Sequence, residues 1–212
     1  MLGAIIGAIS TIASAAVAAV KVLATVGMAI EGVKAIGGAL LGIAKTLGII
    51  KPETEVDELG DKALQADEIG IKPENYDSYE EYVKAVQDFK TDPDKSKLYT
   101  DEQKINKGTE LSYGVAMEKC PTVDFESLIK TSENSSFMDK IGRFGELCKM
   151  AISNPNELND AVKFINGNQK SARGIDSAIS TLSSIEKQIT PGISDNDACR
   201  NVLNLSLIHI SE

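Results

Sequence analysis

The residues able to do chemistry are few, and they are poorly spaced for it. Cys120, Cys148 and Cys199 stand far apart. An odd count at wide spacing fits neither a disulfide framework nor a zinc knuckle, so they read as three small buried thiols of a reducing compartment. Adjacent carboxylates recur, as in Asp67-Glu68 and Glu80-Glu81. Neighbours on a helix point in different directions, so these pairs read as solvated surface and not as an acid/base couple. Asp92, Asp94 and Ser96 fit alternate ligand positions of a calcium loop. Lys97 stands where that loop needs glycine and Gln103 where it needs a bidentate glutamate, which leaves a proline-containing turn with Thr100 capping the next helix. No phosphate-cradling G-x-x-x-x-G-K-[ST] loop occurs, and no G-x-G-x-x-G follows a strand. Arg143 and Arg173 lie near glycines within helical segments. No catalytic, cofactor-binding or metal-ligating residue is assigned, and the expectation is a non-enzymatic chain with no cofactor.

The last eight residues, 205–212, read LSLIHISE. They resemble the conceptual translation of a transposon-type sequencing adapter. They are set aside as a non-native tail, with the natural chain expected to be interrupted near Asn204. The one histidine, His209, goes with them. What remains cannot build a Ser–His–Asp or Cys–His arrangement, nor a histidine-dependent zinc site. An enzyme would have to use carboxylates, lysine or tyrosine, or a catalytic part beyond Asn204.

Charge is divided along the chain. Residues 1–50 carry Lys21, Glu31, Lys34 and Lys45, a net of +2, which leaves −11 for the rest of a chain whose net charge is −9. The acidic excess has the wrong sign for phosphate backbones, and with no tryptophan and few aromatics there is no stacking platform, so nucleic acid is excluded as a partner. The first twenty residues have no charged side chain. As a helix they would span about 30 Å, the thickness of a bilayer's hydrocarbon core. Alanine, serine and glycine dilute the stronger insertion drivers. Gly3 and Gly7, and again Gly38 and Gly42, have the G-x-x-x-G spacing that lets two helices approach closely, and these four are the candidate helix-packing residues. Two helical pieces are expected, about 2–20 and 22–48, forming a hairpin or a rod bent at Gly37-Gly38. Three readings of this head stay open: a membrane-seeking segment, a helix pair buried in a soluble assembly, and a cleaved secretory signal with a site at Ala13-Ser14-Ala15 or Ala16-Val17-Ala18. No lysine or arginine precedes the apolar run, and thirty apolar residues follow the supposed cut, which weighs against the signal.

From residue 51 the segments are acidic and helical. Thr54 is placed as a cap, with Val56, Leu59, Ala63 and Leu64 on one face. Ser78 stands three residues before Glu81, a capping box, and Tyr79, Tyr82, Val83, Val86 and Phe89 share a face at helical spacing. Residues 101–119 are weakly periodic. Residues 135–153 place Phe137, Ile141, Phe144, Cys148 and Ile152 on one stripe. Asn154-Pro155 opens a helix that stops near Gly167, and Ile175, Ile179, Leu182, Ile185 and Ile189 line another. No segment alternates with period two, so the fold class is all-α: an apolar N-terminal helix or helical hairpin followed by a small acidic helical body. The expected organisation is an apolar segment at 1–50, an acidic linker region at 51–100, a small helical domain at 101–204 and the tail at 205–212.

The stretches Glu58–Ala66 (ELGDKALQA), Ile71–Tyr82 (IKPENYDSYEEY) and Asp92–Ser96 (DPDKS) resemble a group of bacterial proteins with a Gly/Ala-rich apolar start, some of which carry the label "Cag pathogenicity island protein". The resemblance implies no catalytic residue, and it implies that the apolar head and acidic segment belong together. The functional expectation is a bacterial, membrane-associated, non-enzymatic protein that self-associates through its apolar helices, holin-like, pore-like, or of a secretion or phage context. Its partners would be a lipid bilayer or an apolar helical partner, in a homo-oligomer. The alternative is a cytoplasmic, soluble oligomeric structural or interaction protein with residues 1–50 at the centre of the assembly.

Overall fold

The structure is a computed structural model that describes the backbone of residues 2–207 and the side chains of residues 7–206. Among the described residues every regular element is helical, so the chain is all-α. It divides into two compact units, residues 1–119 and 120–212. The division falls after the 101–119 helix, not before it.

The first unit opens with α1 (Leu2–Thr25) and α2 (Ile30–Thr46). The helix boundary is the turn at residues 26–29, where Gly27 takes φ +67°, a conformation glycine adopts without penalty. Helix α2 continues unbroken through Gly37-Gly38 and ends at Gly48 in a Schellman motif. The Ile49 amide there donates to the Ala44 carbonyl at 3.0 Å and the Gly48 amide to Lys45 at 3.0 Å. Next come α3 (Val56–Glu68), a 3₁₀ turn at Pro73–Asn75, α4 (Tyr79–Asp88), the short α5 (Pro93–Ser96) and α6 (Asp101–Lys119).

Helix α6 is the hub of this unit, with α1, α2, α3 and α4 all packed on it. It buries Ile105, Gly108, Thr109, Leu111, Ser112, Tyr113, Gly114, Val115 and Ala116, which between them point in every direction. A helix surrounded on several sides has no single apolar stripe, which accounts for its weak periodicity. Its glycines mark the tightest contact. A Cβ on Gly108 would lie 1.8 Å from the Val56 carbonyl oxygen, and one on Gly60 would lie 1.8 Å from that of Lys104. Helices α3 and α6 therefore meet backbone to backbone.

Caps fix the register of α4 and α6. Ser78 Oγ accepts from the Glu81 amide at 3.1 Å, and the Glu118 carboxylate of α6 accepts from the Tyr79 and Glu80 amides at 2.7 and 3.1 Å. Thr100 and Gln103 form a reciprocal capping box. Thr54 is buried but does not cap; Glu55 occupies the N-cap of α3. Replacing Ser78 with alanine is expected to lower the stability of the 1–119 unit by about 1 kcal/mol, read from a urea titration, with Glu118 retaining the other two amides.

The second unit holds α7 (Phe125–Lys130), a 3₁₀ turn at Thr131–Glu133, α8 (Ser135–Met138), α9 (Gly142–Ser153), α10 (Pro155–Ile165), α11 (Ala172–Ile189) and α12 (Asp195–Leu207). The helix expected over 135–153 is broken at 139–141. The stripe breaks with it: Phe137, Phe144 and Cys148 are buried, Ile141 and Ile152 are exposed, and Leu147 and Ala151 take the inner positions. Helix α12 runs through the start of the segment set aside as a tail, with Leu205 buried and its carbonyl accepting from Asn134 Nδ2 at 3.1 Å. His209 lies outside the described residues.

Candidate functional site: the outer face of the N-terminal helix

The two apolar helices of the head are different in kind. Helix α2 keeps Val33, Ile36, Gly37, Leu40, Leu41, Ile43 and Ala44 inside, and places Glu31, Lys34 and Lys45 away from that stripe. That is the pattern of a surface helix of a folded body. Helix α1 has an inner side too, but carries a single charge, Lys21, in its 24 residues. Among the described residues, its Gly7–Thr25 stretch is the one segment long and apolar enough to cross a membrane, with mean hydropathy 1.7. Only 28% of that stretch is buried within the chain. The buried side is Ile9, Ala16, Ala19, Val20 and Leu23, which rests on α6 and beside the Pro73–Asn75 turn. The outer side carries Gly7, Ala8, Ser10, Thr11, Ser14, Val17, Ala18 and Lys21. The Thr11 hydroxyl donates to the Gly7 carbonyl at 2.8 Å and that of Thr25 to Lys21 at 2.7 Å, so these polar groups are satisfied inside the helix.

A groove of about 660 Å³ runs along this face, lined by Ser10, Ser14, Val17 and Lys21 of α1 and by Pro73 and Glu74 opposite. Behind α1 the surroundings are charged. Lys107 of α6 pairs with Asp67 at 2.9 Å and with Glu110 at 3.6 Å. Burial pushes the Glu110 carboxyl above the usual carboxylate range; Lys107 opposes this, Asp67 adds to it, and Lys21 of α1 is close enough to lower it slightly. Burial and the nearby Glu110 and Asp67 likewise push the Tyr79 hydroxyl up, and Tyr82 sits wholly inside with it. The tyrosine face of α4 is thus interior packing.

Of the four glycines chosen by spacing, Gly7, Gly38 and Gly42 are not where this chain packs most closely. Gly7 and Gly38 are exposed and Gly42 half-exposed, and no atom comes within 4 Å of a Cβ built on Gly7 or Gly42. Gly3 is in α1, with its packing outside the described residues. Close approach is instead made by Gly60 and Gly108, which stand in separate segments and form no spacing motif. The one signal they gave was glycine in the middle of otherwise good helix, at a cost of about 1 kcal/mol each that only tight packing repays.

Elsewhere most polar groups are engaged with one another, while the buried Tyr82, Thr109, Ser132 and Ser183 hydroxyls have no hydrogen-bond partner. Asp92 caps α5 by accepting from the Asp94 amide at 2.9 Å, and Ser96 Oγ donates to Asp61 Oδ2 at 2.6 Å, so the calcium-like residues are tied into turns. Five carboxylates, Asp61 among them, gather with Lys34 and Lys104 around a hollow of about 390 Å³. Among the described residues no three histidine, cysteine or acidic side chains are placed to hold a metal ion. Cys148 is fully enclosed and burial pushes its thiol far up, which keeps it unreactive. Comparison with protein-family models, with curated proteins and with solved structures gives no match to this chain.

Proposed function

We propose that this is a non-enzymatic, membrane-associated protein that enters or lines a bilayer through α1 and self-associates through the same helix. One observation carries the reading: a helix of span length and span hydropathy, with most of its residues left uncovered by its own chain. A core helix of that composition would be enclosed. At 24 residues α1 is about 36 Å long, sufficient for a hydrocarbon core of about 30 Å. Its threonine hydroxyls are bonded to its own backbone, which lowers the cost of leaving water. Lys21 lies near one end, where its amine can reach the interface.

The small outer side chains Gly7, Ala8, Ser10, Ser14 and Ala18 also favour a second reading, in which the α1 helices of several copies cover one another in a soluble assembly. Fractionation separates the two. The full chain is expected in the membrane fraction, resistant to carbonate washing. Ser14→Asp places a charge at the middle of α1 on the side already facing out, so the body stays folded. At the centre of a span it costs about 3 kcal/mol, which cuts the embedded fraction by roughly 10²-fold. Recovery of the unaltered chain as a detergent-free oligomer that Ser14→Asp dissociates supports the second reading. A detergent-free monomer overturns both.

A further inference from the structure

We propose that α1 has two positions: docked on α6 in the folded chain, and swung away about the turn at residues 26–29 when it enters a bilayer. The inference rests on the membrane reading above and adds how the helix gets there. Docking and spanning exclude each other. The inner side of α1 lies on α6, which carries Asp101, Glu102, Lys104, Lys107, Glu110, Glu118 and Lys119. Carrying that helix into hydrocarbon with α1 would take several charges out of water together, which a bilayer core strongly opposes. A span also has to face lipid or another apolar helix on all sides, and the docked side is taken up by the core of the body, where Ile9 belongs with Leu41, Leu111 and Val115.

The contacts holding α1 are suited to release. Ile9, Val20 and Leu23 are buried with Ala16 and Ala19, and half-buried Ile12 and Ala13 pack on the same core, so the docked stripe is apolar contact that hydrocarbon can replace. The threonine side chains bond back to their own helix and not to the body, and travel with it. The connection is short: Val26, Gly27 and Ala29 are exposed, no atom lies within 4 Å of a Cβ built on Gly27, and half-buried Met28 packs on Gly32 of α2. Ala29, at the N-cap of α2, has an extended backbone and no side-chain cap, so rotation about this turn breaks no capping bond. Helix α2 keeps its own buried stripe on α6 and stays behind as the anchor. The groove between α1 and Pro73-Glu74 leaves open space beside the moving helix.

A cleavable tether tests this. Val17 and Glu74 are both exposed and line the same groove, so cysteines there alter no buried contact. Val17→Cys and Glu74→Cys are introduced together into the full chain with Cys199→Ser, the other two cysteines being buried. A disulfide-containing bis-maleimide joins them in water, and the protein is added to vesicles of phosphatidylcholine and phosphatidylglycerol. The tether is expected to lower the carbonate-resistant fraction at least tenfold, and cleavage by reductant to restore it. Equal embedding of the tethered and untethered chains overturns the two-position proposal while leaving the membrane reading in place. Failure of the untethered chain to embed overturns the membrane reading, and this proposal with it.

Discussion

Arg143→Met is expected to destabilise the 120–212 unit by about 3–5 kcal/mol, the usual consequence of leaving one member of a buried ion pair alone. Glu186 of α11 has 1% of its side chain exposed and Arg143 of α9 has 6%. The Arg143 Nε donates to Glu186 Oε1, and its Nη1 donates to the Ser136 and Phe137 carbonyls at 2.6 and 3.1 Å. Lys140 completes the set, donating to Glu186 Oε2 at 3.1 Å and to Thr190 Oγ1 at 3.0 Å. One guanidinium therefore joins the break between α8 and α9 to α11. Removing it strands a buried carboxylate and two carbonyls, and half-exposed Lys140 is the cation left. Arg143→Met with Glu186→Leu is expected to be more stable than Arg143→Met alone, because no unopposed charge remains. Hydrogen exchange of the α9 and α11 amides in the full chain reads both variants.

The pH dependence of the two proteins should have opposite sign. Burial alone would raise the Glu186 carboxyl, but the bonds from Arg143 and Lys140 outweigh it and hold the group below the usual range. A depressed carboxyl adds stability that is present above its unfolded pKa, near 4.3, and lost as pH falls through the folded value. In Arg143→Met burial is opposed by Lys140 and a long bond from Asn201 Nδ2, at 3.5 Å, without the guanidinium, so the carboxyl rises and folding then favours its protonated form. The variant should gain stability over a window of falling pH where the parent begins to lose it. A parallel pH response in both proteins would mean that Arg143 does not govern Glu186.

Elements with local signals could be read from the sequence, and those defined by distant neighbours could not. Ser78, and Thr100 with Gln103, mark helix ends through bonds to residues three away, Pro155 through its fixed φ with no capping bond from Asn154, and Gly167 through a positive φ; the structure has helix ends at all of them. The hydrophobic stripe of α4 matches its periodicity, while in α11 Leu182 and Ile185 are buried as expected but Gly174 and Ala178 take the inner positions in place of Ile175 and Ile179. Helix α6 is touched from several sides, so no one period dominates it. The joint at Gly27 was misplaced to Lys21 because composition is equally apolar on both sides of it; only the backbone turn divides α1 from α2. Arg143 looked like any helical arginine, since its partner is 43 residues away. The apolar head was legible as something needing cover, and its division into a body helix and an uncovered one was not. That division depends on what α6 presents to each.

The glycines offer a sharper test of the same point, because sequence spacing and three-dimensional contact assign them opposite roles. Gly108→Ala is expected to cost the 1–119 unit at least the ~3 kcal/mol at the upper end of overpacking penalties. The added methyl would sit 1.8 Å from the Val56 oxygen, and the atom in the way is backbone. Relief requires α3 and α6 to separate, which opens the core holding Leu59, Leu111 and Val115. Gly60→Ala should behave alike, being the other half of the same crossing. Gly42→Ala should do the reverse. Its position on α2 is open, so alanine adds helix propensity, up to about 1 kcal/mol, without a clash. Urea titration of the three variants gives the ordering directly. Gly42→Ala and Gly7→Ala then bear on assembly independently of folding. If those glycines seat a second helix, the two substitutions leave the monomer as stable as before or more so, and weaken self-association in vesicles or detergent. Unchanged association in both would remove G-x-x-x-G spacing from the account of how copies meet, and leave the remaining outer face of α1 to make the contact.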